Sequence, residues 1–412
     1  MSATTMKKRT LQAAASLLIS GLLLTGCAAG ADSSATGASS SSTSVSETSS
    51  SSSSEASTDS STASSTSETI SSTSEAAEAF LATLSAEQRE AVLYDYEDET
   101  KTTSWTNFPV TFVERAGLNL NDLTDEQRAA AMEVLEALMS EESYDTITGI
   151  MGGDEYLLEN SSSTETSLGQ YYIAFFGDPT AESAYEVQFG GHHLGVNATL
   201  DPSEEAITFA PTHLGVQPAV YTDSEGNEVQ PFDAIYTDAF TFFDSLTEEQ
   251  QATLTSGDVS MCSPGDTCDF ATGSGLTGAD LDDEQKQLLL DLVMNWAGMA
   301  DEETSADARA EIEATLDETV IAWSGETSYD MSTGDGISFS ISGPNVYVAS
   351  QAQQNSAGAD VEGVSTSGWG HVHSIYRDPT NDYAGSVTQQ EASGMSGGPG
   401  SDGGMPSSDS DS

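Results

Sequence analysis

The sequence predicts an α+β fold, with several capped helices around an antiparallel or mixed sheet in one large globular domain. Three observations carry this. Four short segments repeat one helix-start pattern. Strand-like stretches alternate apolar and polar residues. Helices and strands fall in clusters, without the regular strand–helix alternation of a parallel α/β sheet.

The repeated pattern reads Leu84-Ser85-Ala86-Glu87-Gln88, Leu123-Thr124-Asp125-Glu126-Gln127, Leu246-Thr247-Glu248-Glu249-Gln250 and Leu281-Asp282-Asp283-Glu284-Gln285. Each places Ser, Thr or Asp at an N-cap and Gln three residues on. That is a capping box, in which two side chains satisfy orphan backbone N–H groups. Acidic residues in the first turn also suit the positive end of the helix dipole. The boxes predict helices near 85–95, 124–140, 247–255 and 282–298. The last has Leu288, Leu289, Leu292, Val293 and Trp296 at helical spacing, so one face enters the core. A further helix is expected over 306–316.

Strands are expected in between. Residues 171–176 are aromatic and apolar. Tyr185, Val187 and Phe189 alternate with Glu186 and Gln188. Ile337, Phe339 and Ile341 alternate with serines, and Val346 and Val348 follow. This alternation places one set of side chains on each face of a sheet.

The ends of the chain read differently. Lys7, Lys8 and Arg9 precede an apolar stretch over 11–24, with Met6 as an alternative start. That stretch is shorter than the ~20 residues a membrane span needs and suits an export signal. It closes in Leu24-Thr25-Gly26-Cys27, which looks like a bacterial lipobox. The expectation is a signal peptide over 1–26, a lipidated Cys27, and attachment to the outer face of the cell membrane. Residues 27–74 are rich in Ser and Thr and poor in apolar residues, so they read as a disordered linker. As a flexible coil such a linker spans about 35–40 Å. The globular domain is expected over 75–384, and residues 385–412 read as an acidic Gly/Ser tail.

Charge narrows the partners. The chain has 67 acidic and 10 basic residues. Such a surface repels nucleic-acid phosphates, so no nucleic acid is expected as partner. The membrane, through the Cys27 anchor, and a small-molecule or cell-surface ligand are the expected partners. Outside the cell Cys262 and Cys268, with Pro264 and Gly265 between them, are expected to form a disulfide.

Several motifs in order resemble one family. Trp105-Thr106-Asn107-Phe108-Pro109 is followed by Arg115-Ala116-Gly117-Leu118. Phe176-Gly177-Asp178-Pro179 precedes Gly191-His192-His193-Leu194 and Asn197. His371-Val372-His373-Ser374-Ile375-Tyr376-Arg377-Asp378-Pro379 leads to Asn381-Asp382-Tyr383. This set resembles the bacterial domain of unknown function 3500 family over about residues 76–384. The resemblance implies which segments matter and implies no activity. The family tends to carry an acidic residue near the end of the strand around Val348. Here that stretch reads Ala349-Ser350-Gln351.

Histidine is the sharpest chemical signal. The chain has five, His192, His193, His213, His371 and His373, and four fall in two tight motifs. On a strand His371 and His373 share a face. Together with His192 or His193 they are candidate ligands for Zn, Fe or Cu. Arg377, Asp378 and Asp382 are the candidate catalytic residues, for orienting an anion or moving a proton. The expected function is a surface-anchored metal-dependent enzyme, oxidoreductase or hydrolase. The alternative is a non-catalytic binding lipoprotein, with Trp105, Trp323 and Trp369 as candidate stacking residues, although tryptophans beside Pro or Gly turns more often pack in a core, the preferred reading for Trp323. No phosphate-binding loop or His-Glu-x-x-His helix occurs. Asp154 and the other carboxylates are too numerous to single out a pair.

Overall fold

The computed structural model describes residues 65–388, except 165, 181, 256–258, 265–269, 271–274, 355–357 and 359. The expected signal peptide, Cys27, the linker up to residue 64 and the tail beyond residue 388 lie outside the described residues.

The helices are α1 (Thr66–Thr83), α2 (Ala86–Val92), α3 (Asp125–Leu138), α4 (Glu141–Asn160), α5 (Asp233–Ser245), α6 (Glu248–Gln251), α7 (Asp283–Ala297) and α8 (Glu302–Glu313). The strands of the first half are β1 (Leu93–Tyr94), β2 (Leu118–Asn119), β3 (Tyr172–Phe176), β4 (Tyr185–Gly190), β5 (Leu194–Asp201), β6 (Ala206–Thr208) and β7 (Thr212–Val216). A small hairpin, β8 (Tyr221–Thr222) and β9 (Glu228–Val229), follows. The second half has β10 (Leu276–Thr277), β11 (Val320–Gly325), β12 (Ile337–Ser342), β13 (Tyr347–Gln353) and β14 (Gly368–Arg377). The fold is α+β, as expected.

Twelve strands form one sheet, in the order β1-β3-β4-β5-β7-β14-β13-β12-β11-β10, with β2 on β3 and β6 on β5. The pairs are antiparallel except β1 with β3, which is parallel. All four capping boxes form, at Ser85, Thr124, Thr247 and Asp282.

The boxes also pair with one another. Gln127 donates to Gln88 at 3.1 Å and to the Thr83 carbonyl at 3.0 Å. Gln285 repeats this with Gln250 at 2.9 Å and the Ser245 carbonyl at 2.8 Å. The repetition extends further. Residues 117–127 and 275–285 are identical at seven of eleven positions. Leu118 pairs with Ile173, and Leu276 with Ile321. Leu120 N–H donates to the Tyr171 carbonyl, and Gly278 N–H to the Thr319 carbonyl. The β4–β5 turn closes by Gly191 N–H to the Leu194 carbonyl, and the β12–β13 turn by Gly343 N–H to the Val346 carbonyl. The described residues thus repeat one unit twice, the two copies meeting where β7 pairs with β14.

The two faces of the sheet differ. One carries Val187, Phe189, Val196, Leu214, Ile341, Val348 and Val372 into the large apolar core with the helices. There the Trp296 indole of α7 donates to Ser374 Oγ at 2.9 Å. The other face carries Glu186, Gln188, Asn197, His213 and His373, all buried. Loops cover it, with Trp105, Met261 and Cys262 packed on Tyr347, Ala349 and Ile375.

Some elements depart from expectation. The fold begins at Thr66, inside the stretch read as linker. Thr66, Thr69, Ile70, Thr73, Ala77, Phe80 and Leu81 are buried along one side of α1. Threonine methyls substitute there for larger apolar groups, so composition concealed the helix. Helix α4 was also unexpected. It carries Gly149, Gly152 and Gly153, residues that lower helix propensity. A Cβ on Gly152 would lie 2.3 Å from the Tyr221 hydroxyl, which donates to the Gly149 carbonyl at 2.7 Å. Helix α8 starts earlier than residue 306 because Asp301 caps it through Glu303 N and Thr304 N.

The paired boxes make a direct prediction. Gln285→Ala strands the Asp282 N–H and the Ser245 carbonyl at once. It should lower the unfolding free energy by about 1–3 kcal/mol, measured by urea denaturation.

Candidate metal centre

The β4–β5 turn sets out the first two rings. Gly191, His192 and His193 lie between the strands, outside regular pairing. The alternation that would send adjacent histidines to opposite faces therefore does not apply. The two rings stack, with centroids 4.3 Å apart. The expected choice between His192 and His193 does not arise, because both rings face His373, at 5.5 Å and 5.1 Å.

Strand register brings the others. Across β7 and β14, Gly215 pairs with His373 and His213 with Ile375. His213, Gly215, His371 and His373 thus share the loop-covered face. Gly215 N–H also donates to the His193 carbonyl at 2.7 Å. His193 and His373 therefore flank a residue with no side chain. A Cβ on Gly215 would meet His373 Nδ1 at 3.0 Å and His193 Cδ2 at 3.3 Å. The glycine leaves the space in which the rings converge.

Burial keeps the imidazoles neutral. It lowers His193 and His371 to about 3 and His213 to about 4. His192 and His373 are also driven well down by burial, reinforced by His193 and His371 respectively. Hydrogen-bond partners then assign the protons. His193 Nδ1 donates to Asp154 Oδ1 at 2.6 Å. Asp154 comes from α4 and also accepts the Tyr171 hydroxyl at 2.8 Å. Burial raises Asp154 to about 6, against the opposing effects of His192 and the Tyr171 hydrogen bond. His213 Nδ1 donates to the Ser374 carbonyl at 2.8 Å. Its Nε2 lies 3.3 Å from both His373 Nδ1 and the His192 carbonyl. Donation to Asp154 leaves His193 with its Nε2 lone pair.

One ligand atom each from His192, His193 and His373 lies within 4.8 Å of the others, so the group could hold a metal ion. His371 adds a fourth ring, its Nε2 3.1 Å from His373 Nε2. Two ligands on one ion, with bonds of about 2.0–2.1 Å at about 100°, stand about 3.1 Å apart. Buried nitrogens of His192 (Nδ1), His193 (Nε2) and His371 (Nδ1) have no hydrogen-bond partner. Buried polar atoms rarely go without one. An ion would satisfy His193 Nε2 directly, and Asp154 on the opposite nitrogen is the carboxylate support such ligands commonly have. The donor set of neutral imidazoles suits Zn, Cu or Fe.

The expected catalytic residues lie elsewhere. Arg377 is four residues along β14 from His373, about 13 Å in an extended strand. Its Nε donates to Asp382 Oδ2 at 2.9 Å, and its Nη1 to the Cys262 carbonyl. Asp378 Oδ1 accepts from Thr380 N and Asn381 N, which shapes a turn. These three residues lock the end of β14 and do not reach the histidines. Cys262 is disulfide-bonded, and Cys268 lies outside the described residues. Trp105, Trp323 and Trp369 are buried, so none offers an exposed stacking surface.

Sequence reasoning passed over Asp154, Tyr171 and Gly215, and left His213 without a role. Only the scarcity of histidine pointed to His213. Nothing local marks Asp154 among 67 acidic residues. Arg115 was also missed as a brace. It donates to the Gly191 carbonyl at 2.8 and 3.2 Å and to the carbonyls of Thr106 and Phe108, fixing the covering loop to the histidine turn.

The model of a protein of unknown function family (DUF3500) matches residues 66–385, well over half of the chain, and the chain belongs to that family. No curated protein and no solved structure matches it.

The glycine gap is testable. Gly215→Ala forces the His193 and His373 rings apart. It should weaken binding of Zn(II) or Co(II) at least tenfold in a chelator competition, with the cooperative thermal transition retained.

Proposed function

We propose that this protein is a metal-dependent enzyme of the cell exterior, held at the membrane by lipid on Cys27. The observation that carries the metal reading is His193. Its Nδ1 is engaged by a buried carboxylate, and its buried Nε2 has no partner and faces the other rings. A ring held only for packing has no need of that arrangement.

Each group has a stated part. His192, His193 and His373 hold the ion, with His371 beside them. Asp154 fixes the His193 tautomer, and Tyr171 steadies Asp154. His213, which donates a hydrogen bond to the Ser374 carbonyl, stands against His373 Nδ1 and orients that ring. His192 is partly buried where His193 and His373 are fully enclosed, so access is from its side. The bound ion supplies a Lewis-acid or redox centre, and oxidoreductase and hydrolase chemistry both fit. The buried tryptophans weigh against the binding-module alternative.

The anchoring reading rests on the Lys7-to-Cys27 pattern and on composition. Among the described residues no helix is long and apolar enough to cross a membrane. A disulfide at Cys262 accords with an oxidising exterior.

Metal analysis of the purified, tag-free protein tests the first part. Near one equivalent of a single transition metal is expected, after reconstitution if necessary. His193→Ala and His373→Ala should abolish it, and Asp154→Asn should weaken it 10–100-fold. Less than a tenth of an equivalent in the wild type rules the metal centre out. For the anchor, Cys27→Ala should shift the protein from the membrane fraction to the medium, and unchanged fractionation refutes lipidation at Cys27.

A further inference from the structure

Strand β13 passes directly beside the histidines. Gln351 pairs with His373 across β13 and β14, as Ala349 pairs with Ile375 and Tyr347 with Arg377. Opposed residues of an antiparallel pair project to the same face, with Cβ atoms about 5 Å apart. Tyr347, Ala349 and Gln351 therefore line the loop-covered face. The first two are sealed under Trp105 and Met261. Gln351 is partly exposed, and its side-chain amide makes no hydrogen bond among the described residues. It is an unspent donor and acceptor next to the ligand set.

Charge indicates what it meets. The imidazoles are neutral, and Asp154 is the carboxylate bonded to them. Arg115, also buried, has only carbonyl partners at Gly191, Val113, Thr106 and Phe108. A divalent ion held by neutral imidazoles keeps most of its positive charge, since the one carboxylate bonded to them, Asp154, stands behind His193 and not on the ion. An anion is the ligand that removes this imbalance.

We infer that the site takes a small oxyanion such as a carboxylate beside the ion, with the Gln351 amide N–H as its hydrogen-bond donor. The inference rests on the metal reading above. Gln351 acts here as a specificity residue, while the histidines hold the ion.

Titration of the Co(II)-loaded protein with acetate, followed by the visible spectrum, tests it. The wild type should show a saturable change. Gln351→Ala should keep full Co(II) content and bind acetate at least tenfold more weakly, since a hydrogen bond to a charged group is lost. Gln351→Glu places a carboxylate within reach of the ion. Its spectrum without acetate should already resemble the acetate-saturated wild type, and added acetate should change it little. Acetate affinity within twofold of wild type in Gln351→Ala, or an unaltered spectrum in Gln351→Glu, overturns the inference and leaves the metal centre standing. A wild type that binds no Co(II) removes the metal centre, and the inference with it.

Discussion

The pairing of β7 with β14 is the contact on which the rest depends. It joins the two copies of the repeated unit into one sheet. It also sets Gly215 against His373, and through β5 it brings in the histidine turn. A slip of one residue in this register would turn His373 toward the helices and Val372 toward the loops. The apolar demand of one face therefore fixes the chemistry of the other. Leu214, Val216 and Val372 must enter the core, so His213, Gly215 and His373 must face away from it.

That second face is unusual in being buried and polar. Its groups satisfy one another in small sets. Gln188 accepts from Ser104 at 2.6 Å and donates to Asn197 at 2.6 Å, and Asn197 donates to the Pro211 carbonyl at 2.9 Å. Lys101 meets Glu186 at 3.1 Å with neither side chain exposed. Removing one member of such a buried pair leaves an uncompensated charge, a larger loss than the pair itself contributes. Against this background of mutual satisfaction the unpartnered nitrogens of His192, His193 and His371 are exceptions, and three exceptions gather at one place. Glu186 Oε1 is also without a partner, but it stands beside a cation that already offsets its charge.

Much of the fold was legible in the sequence because its signals are local. A capping box needs only four residues, and all four formed where they were read. The alternation at Tyr185, Val187 and Phe189 is also self-contained. Helix α1 was not legible, since its buried side includes threonines that elsewhere mark a linker. The site was half legible. Scarcity made the histidines conspicuous, but their convergence depends on strand register, which the local pattern does not contain. Asp154 was invisible for the same reason. Its importance comes from where α4 passes the β4–β5 turn, and one more acidic residue in this composition carries no signal. Arg377, Asp378 and Asp382 misled because they follow the histidines closely in sequence, whereas a strand carries neighbours in sequence steadily apart.

The repeat explains that separation. In the first copy the turn between the second and third long strands reads Gly191-His192-His193-Leu194. In the second it reads Gly343-Pro344-Asn345-Val346. Both turns close by the same backbone hydrogen bond, so the backbone makes an equivalent platform twice. Only one platform carries histidines. The counterpart has Pro344 and Asn345, and Asn345 donates to the Glu311 carbonyl. Beside it, at its own end of β14, Arg377 is held by Asp382 and by the Cys262 carbonyl. One strand thus serves both copies. Its first half presents His371 and His373 to the histidine-bearing turn, and its last residue is tied down near the turn that lacks them. A rigid far end holds the register of β14, and register is what keeps His373 opposite the empty position at Gly215. The ion pair that sequence proximity suggested as chemistry instead ties down the end of the strand far from the histidines.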